Sequence, residues 1–178
     1  MTTTLTPNTL AMTSIDSPCG ELRLFASEDG LVAVLWIDEH FNVPMRRPFA
    51  NVSPNNHPVL SMAVVQLSEY FDGSRTGFEL PLLPDGTEFQ RDAWRALQAI
   101  PYGETRSYGQ QAAAIGRPSA VRAVGAANGR NRIPIIIPCH RVIGSNGSLT
   151  GFAAGVGTKR WLLDHERRVS GNEAQLFR

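Results

Sequence analysis

Leu80-Pro81-Leu82-Leu83-Pro84-Asp85-Gly86 divides this 178-residue chain near its middle. Two prolines and a glycine so close together do not run on inside a helix or a central strand, because proline lacks the N–H that either ladder needs. The segment reads as a linker, and the chain is expected to fold as two small domains, 1–84 and 85–178. With 42% hydrophobic and 19% charged residues there are enough apolar side chains for real cores, which excludes a disordered or fibrous protein.

The first half reads as strands followed by a helix. Glu21-Leu22-Arg23-Leu24-Phe25 alternates, Leu31 to Ile37 is a continuous apolar run, and Glu28-Asp29-Gly30 between them is a turn, so an antiparallel hairpin is expected. Met12 to Asp16 adds a third strand. Pro44, Pro48, Pro54 and Pro58 break up a polar connection that holds His40 and His57 and runs to a helix starting near Pro58. In that helix Leu60, Ala63, Val64, Leu67 and Phe71 recur at helical spacing until Asp72-Gly73. Cys19, in Ser17-Pro18-Cys19-Gly20, has no basic partner and reads as structural.

The second half is more helical. Thr87 and Gln90 form a capping box for a helix carrying Phe89, Ala93, Trp94, Leu97 and Ile100 on one face, stopped by Pro101-Tyr102-Gly103. Ser107 and Gln110 repeat the signal for a short helix ending at Gly116, and Pro118 opens another that runs towards Asn128-Gly129. Two short helices joined by a Gly-Arg-Pro turn resemble a helix-turn-helix. The second of them, Ala120 to Ala127, consists almost wholly of small residues around Arg122. Such a backbone suits either tight helix packing or close approach to another surface, and Arg122 favours nucleic acid.

Charge supports that choice. Met1 to Glu104 holds 6 Lys and Arg against 13 Asp and Glu, whereas Thr105 to Leu163 holds eight basic residues and no carboxylate. A basic surface releases counterions from a polyanion, as nucleic-acid binding requires; the plainer alternative is a solvated face, or one paired with the acidic half.

Chemistry concentrates in Ile133-Pro134-Ile135-Ile136-Ile137-Pro138-Cys139-His140-Arg141-Val142, where a β-branched stretch presents a thiol, an imidazole and a guanidinium in succession. A neighbouring base and positive charge lower a thiol's pKa and make it a nucleophile, whereas a cysteine ending an apolar run is often an inert core residue. Adjacent strand residues face opposite ways, so a water would link Cys139 to His140. After Glu104 only Asp164, Glu166 and Glu173 are available to orient the imidazole, and composition does not choose between Asp164 and Glu166 on their common helix. Between thiol and acid, Ser145-Asn146-Gly147-Ser148 signals a hairpin, and Gly151-Phe152-Ala153-Ala154-Gly155 reads as a pocket wall, a lid or an ordinary connection. No metal-ligand spacing is present, and neither a metal nor a cofactor is expected.

Pro138-Cys139-His140-Arg141-Val142, with the Ile-rich approach and Trp161-Leu162-Leu163-Asp164-His165-Glu166 behind it, resembles the O6-alkylguanine-DNA alkyltransferases over Thr87 to Glu166. The resemblance implies an α+β first domain with a ribonuclease-H-like layout and a helix-turn-helix or winged-helix-like second domain. It makes Cys139 the alkyl acceptor, His140 its base through a water, and Glu166 the residue that orients His140. Arg122 would replace the extruded nucleotide, with Ala120 and Ala123 beside it on the DNA face. Tyr108 would press on the phosphate and hydrogen-bond the flipped base, and Asn131 would tie the recognition helix to the active-site turn. Backbone groups of Cys139 and Val142 would read the guanine edge while Phe152, Ala153 and Ala154 close the pocket. Phe152 stands where the family usually has tyrosine and Ala154 where many members have glycine. Methyl transfer is expected to survive both changes, and bulky groups such as benzyl to be accepted less readily.

The implied activity is stoichiometric repair of O6-alkylguanine in duplex DNA through minor-groove binding and nucleotide flipping, with thymine O4 as a second candidate target. A monomer in solution is expected, with cooperativity along DNA left open. No apolar run reaches the ~18 residues of a membrane span, and the Thr-rich start lacks a signal-peptide pattern, so a cytoplasmic protein is expected. The rival readings are a lesion-marking alkyltransferase-like protein, against which Cys139 argues, a helix-turn-helix regulator, and a cysteine hydrolase.

Overall fold

The structure, a computed structural model, describes residues 8–37 and 47–171. His40, Pro44 and Glu173 lie outside the described residues. The chain forms two compact units, Met1–Pro84 and Asp85–Arg178.

In the first unit β1 (Leu10–Ile15), β2 (Leu22–Ser27) and β3 (Gly30–Trp36) form an antiparallel meander. A short β4 (Phe49–Asn51) pairs parallel with β1, giving the order β3-β2-β1-β4. The proline-broken stretch was expected to be loop throughout; three of its residues instead satisfy the free edge of β1, although alternation over so short a strand is too brief to read. Helix α1 (Pro58–Asp72) buries Val59, Leu60, Ala63, Leu67 and Tyr70, and Gly73 closes it in the left-handed conformation at φ 81°. Tyr70 is fully buried while Phe71 is only half-buried, so the innermost aromatic is one residue earlier than the expected Phe71.

The proline-rich connection is less free than a linker. Leu31 N–H donates to Pro81 C=O and Leu83 N–H to Leu31 C=O, both at 2.8 Å, stitching its first residues to the edge of β3. Gly30 is required there: a Cβ would lie 2.8 Å from the Pro81 oxygen.

In the second unit, both halves of the Thr87–Gln90 capping box are formed at the start of α2 (Glu88–Gln98), and those of Ser107–Gln110 at α3 (Tyr108–Ala114). Helix α4 (Val121–Asn128) starts later than Pro118, since Pro118 and Ser119 form a turn closed by Ala120 N–H on Arg117 C=O at 2.9 Å. Helices α3 and α4 form the helix-turn-helix, held from within by side-chain amides. Gln111 Nε2 donates to Asn128 Oδ1 at 3.0 Å and Asn128 Nδ2 returns a bond to Gln111 Oε1 at 2.7 Å. Trp94 Nε1 donates to Ala127 C=O at 2.9 Å, tying α2 to α4. The small-residue helix has two faces: Val124 and Ala127 pack inward, whereas Val121, Arg122, Ala123 and Ala126 are exposed.

Ile133–Ile137 is buried but forms no strand; it is a series of turns leading into a 3-10 turn at Cys139–Arg141. The expected hairpin after it is a single turn, closed by Gly144 N–H on Ser148 C=O at 2.8 Å, with no returning strand. Instead β6 (Val142–Ile143) pairs parallel with β5 (Arg106–Ser107), which brings the start of α3 beside the 3-10 turn. Helix α5 (Gly155–Ser170) completes the unit. Among the described residues no helix is long and apolar enough to cross a membrane.

Candidate active site

Cys139 opens the 3-10 turn and is 9% exposed. The loop before it is held by Asn131, whose Nδ2 donates to Ile137 C=O at 2.8 Å and whose Oδ1 accepts from Ile133 N–H at 2.9 Å. Between these anchors Ile135 adopts φ 73°, a left-handed conformation that costs a β-branched residue strain and persists only where the surroundings enforce it. Burial pushes the Cys139 thiol up; the Asn131 side chain, the Lys159 charge and the backbone N–H groups of Cys139 and His140 act the other way without overcoming it. Neighbouring positive charge, that of Lys159, does act to lower the thiol's pKa, but burial outweighs it. A group with so little access to water is held as the neutral thiol, and its proton must leave as the reaction occurs.

His140 is fully buried, and its Nε2 lies 2.8 Å from Glu166 Oε1. Because Cys139, His140 and Arg141 lie on a tight turn, the strand argument that set Cys139 and His140 on opposite faces does not apply. Helix α5 turns Glu166 inward, whereas Asp164 is half-buried and acts on Arg167, so the structure places Glu166 at the imidazole. Glu166 Oε1 also accepts from Arg141 Nη2 at 2.9 Å, and Oε2 accepts from Arg141 Nε at 2.9 Å and from Gly103 N–H at 3.0 Å. Burial alone would raise this carboxyl, but His140 and Arg141 outweigh it and hold it well below the usual carboxylate range. For His140, burial together with Arg141 and Lys159 outweighs the pull of Glu166 and keeps the imidazole below its ordinary pKa. Its Nδ1 is buried and has no hydrogen-bond partner. Arg141, read in sequence as positive charge beside the thiol, is committed to Glu166.

Lys159 is the residue that sequence reasoning missed, having counted it only as surface charge. It is fully buried, and its Nζ donates to Thr150 C=O at 2.8 Å. Burial lowers its pKa to about 8, against the opposing effect of Cys139. The signal was its spacing: Lys159 and Glu166 are about two turns apart, so both project from the inner face of α5 with Leu162 and Leu163. Tyr108 OH donates to the same Thr150 carbonyl at 3.1 Å, and the Lys159 ammonium stands 5.7 Å from the centre of the Tyr108 ring. Thr150 thus anchors the segment holding the half-buried Phe152, Ala153 and Ala154, in which Gly151 and Gly155 take φ of 62° and 85°. Val142 is buried in β6 directly after the turn.

Arg122 and Ala123 project from the exposed face of α4, while Ala120 is its half-buried N-cap. Of the eight basic residues between Thr105 and Leu163, Arg141 and Lys159 are buried, and Arg106 pairs with Glu104 at 2.8 Å. The basic face is therefore smaller than the charge count suggested. Cys19 is half-buried, and burial pushes its thiol up to about 12, far from any reactive range.

Comparison with known proteins places both units. Residues 10–84 match the family model described as 6-O-methylguanine DNA methyltransferase, ribonuclease-like domain, and residues 88–168 match the DNA binding domain of the same family. A methylated-DNA--protein-cysteine methyltransferase of Mycolicibacterium paratuberculosis is 47% identical over 92% of this chain and 96% of its own length. The constitutive methylated-DNA--protein-cysteine methyltransferase of Bacillus subtilis is 47% identical over 87% of this chain and 94% of its own. Among solved structures, Mycobacterium tuberculosis OGT in complex with DNA superposes with a TM-score of 0.79 at 43% identity, covering 90% of this chain and 94% of that one. With a ribonuclease-like unit, a helix-turn-helix unit and a buried Cys-His-Glu arrangement all in place, this chain belongs to the 6-O-methylguanine DNA methyltransferase family.

Proposed function

We propose that this protein repairs DNA by transferring the alkyl group of O6-alkylguanine to Cys139 Sγ, once per molecule. The observation that carries the reading is the buried run from Glu166 through His140, whose one remaining ring nitrogen is unpartnered beside a cysteine held as a thiol. As Sγ attacks the alkyl carbon, the thiol proton passes through a water to His140 Nδ1. The carbon–O6 bond breaks with its electron pair moving to guanine, and Tyr108 makes it a better leaving group by turning its O–H from Thr150 C=O to the departing base. The thioether product has no hydrolysable bond, so each molecule is consumed.

Guanine O6 lies inside the stack, so the nucleotide has to be turned out of the duplex. Arg122, on the bare outer face of α4, would fill the space it leaves, with Ala120 and Ala123 permitting close minor-groove approach and free cations such as Arg130 meeting phosphate. The relative solved with DNA supports this class of partner. Val142, Phe152, Ala153 and Ala154 would line the base pocket. A monomeric cytoplasmic protein fits this role.

The test is intact-mass and peptide mass spectrometry after mixing the protein with a duplex carrying one O6-methylguanine. One added methyl group on Cys139, saturating at one per molecule, is expected, and Cys139→Ala should bind the duplex yet gain no mass. Lesion-selective binding by the unaltered protein with unchanged mass would overturn the reading in favour of a damage-marking protein.

A further inference from the structure

We propose that Arg141 is a positioning residue for the transfer: its guanidinium fork fixes the Glu166 carboxylate and supplies the countercharge that keeps His140 a neutral imidazole able to accept a proton at Nδ1. This rests on the reading that His140 takes the proton of Cys139. Arg141 engages both carboxylate oxygens of Glu166 at 2.9 Å, in the planar two-point geometry that guanidinium matches and ammonium does not. Its third anchor is Ile100 C=O, which accepts from Nη1 at 2.7 Å, and the guanidinium stands 5.5 Å from the centre of the Tyr102 ring. A side chain so fully engaged has no freedom to approach a substrate.

The consequence for His140 follows from proton counting. A carboxylate has no proton to give, so His140 Nε2 carries the one in the 2.8 Å bond to Glu166, and in a neutral ring Nδ1 is then an acceptor. Burial is the largest influence keeping the ring neutral, and the local charge adds to it. The groups facing it are Glu166, Arg141, Lys159 and the Cys139 thiol, with Tyr102 sensing Glu166, Arg141 and Arg168. Arginine does not surrender its proton in a protein, so the Glu166 charge is balanced before His140 is considered. Without Arg141, Lys159 is the one charge left opposing protonation of the imidazole beside the buried carboxylate, and the Glu166–His140 pair moves towards neutrality by protonating Nδ1. An imidazolium has no lone pair left for the thiol proton.

The experiment is the pH dependence of single-turnover methyl transfer from an O6-methylguanine duplex, in the unaltered protein, Arg141→Met and Arg141→Lys. In Arg141→Met the acid limb should move up by about one pH unit and the rate near neutrality should fall about tenfold. Arg141→Lys restores the charge, so its acid limb should return, while its plateau stays several-fold lower because one ammonium cannot hold both oxygens. Equal loss at every pH with an unmoved limb in both variants would overturn the proposal. Should Arg141→Met not fold, the imidazole nitrogen spectrum of His140 in the unaltered protein decides: an unprotonated Nδ1 near neutral pH is expected, and a protonated one overturns it. Methyl transfer that persists in Cys139→Ala would instead remove the underlying reading, whatever Arg141 does.

Discussion

Asn131 and Ile137 are joined by a 2.8 Å hydrogen bond that closes the loop leading to Cys139, while the other end of the same amide accepts from Ile133 N–H. One side chain thereby satisfies two buried backbone groups and encloses Ile135 at φ 73°. Replacing it with alanine leaves Ile133 N–H unpaired, at about 1–3 kcal/mol, while Ile137 C=O still accepts from Cys139 N–H at 2.8 Å. Asn131→Ala should lower the urea-unfolding free energy by about 1–3 kcal/mol. It should also slow labelling of Cys139, because the Asn131 side chain helps to lower that thiol's pKa. A loss of stability below about 0.5 kcal/mol, ordinary for a surface change, would show that the loop holds itself.

Arg122 should matter for duplex DNA and not for chemistry. Turning a nucleotide out costs a few kcal/mol, so Arg122→Ala should slow repair in a duplex by about a hundredfold while leaving reaction with a free O6-alkylguanine base within about threefold. Equal loss on both substrates, measured side by side, would contradict the role in extrusion proposed for it.

Lys159 sits inside the unit with a pKa of about 8 and a charge that pulls the Cys139 thiol down. Lys159→Met removes that pull, so iodoacetamide labelling of Cys139 near pH 8 should slow about tenfold. Stability should change little, since an apolar side chain of similar length replaces a buried cation. Faster labelling in the variant would reverse the assigned sign.

His57 caps α1 by accepting Leu60 N–H at Nδ1, which requires that nitrogen to be unprotonated. Burial lowers its pKa despite the opposing charge of Glu28. The unfolded chain therefore binds the proton more readily than the folded one, and the stabilisation is complete above about pH 6.5 and lost as pH falls through the lower folded value. In His57→Asn, which retains a good N-cap, this part of the acid sensitivity should vanish. Urea unfolding at several values between pH 7.5 and pH 5 reads it out, with identical slopes in the two proteins as the contrary result.

Gly30 is fixed by the Pro81 carbonyl 2.8 Å from where a Cβ would stand. Gly30→Ala should push the proline-rich connection off the edge of β3 and cost about 1–3 kcal/mol, read as a lower thermal midpoint. An unchanged midpoint would mean that the connection yields freely.

The helices of the second unit were legible in the sequence because their start signals are local. Thr87–Gln90 and Ser107–Gln110 each close a ring within one turn, so composition and spacing over four residues suffice. The β2–β3 hairpin and α1 were readable for the same reason: periodicity and turn chemistry act between neighbours. Cys139, His140 and Glu166 were picked out by residue type and by likeness to a family, but Glu166 was separated from Asp164 only by the family's pattern. Local rules gave no access to β4, to the parallel β5–β6 pair or to the turns at Ile133–Ile137, where an apolar run fits a strand or a buried loop equally well.

The sequence by itself determined where a proline-rich segment interrupts the chain, which residue types could act as nucleophile and base, and which short helix presents Arg122 among small residues. Tertiary structure decided the electrostatics. Arg141 and Lys159 look like surface charge in a list of residues, yet α5 and the 3-10 turn bury both, one on Glu166 and one within the influence of Cys139. Charge acts through space and through the water excluded around it, and neither is encoded in spacing along the chain.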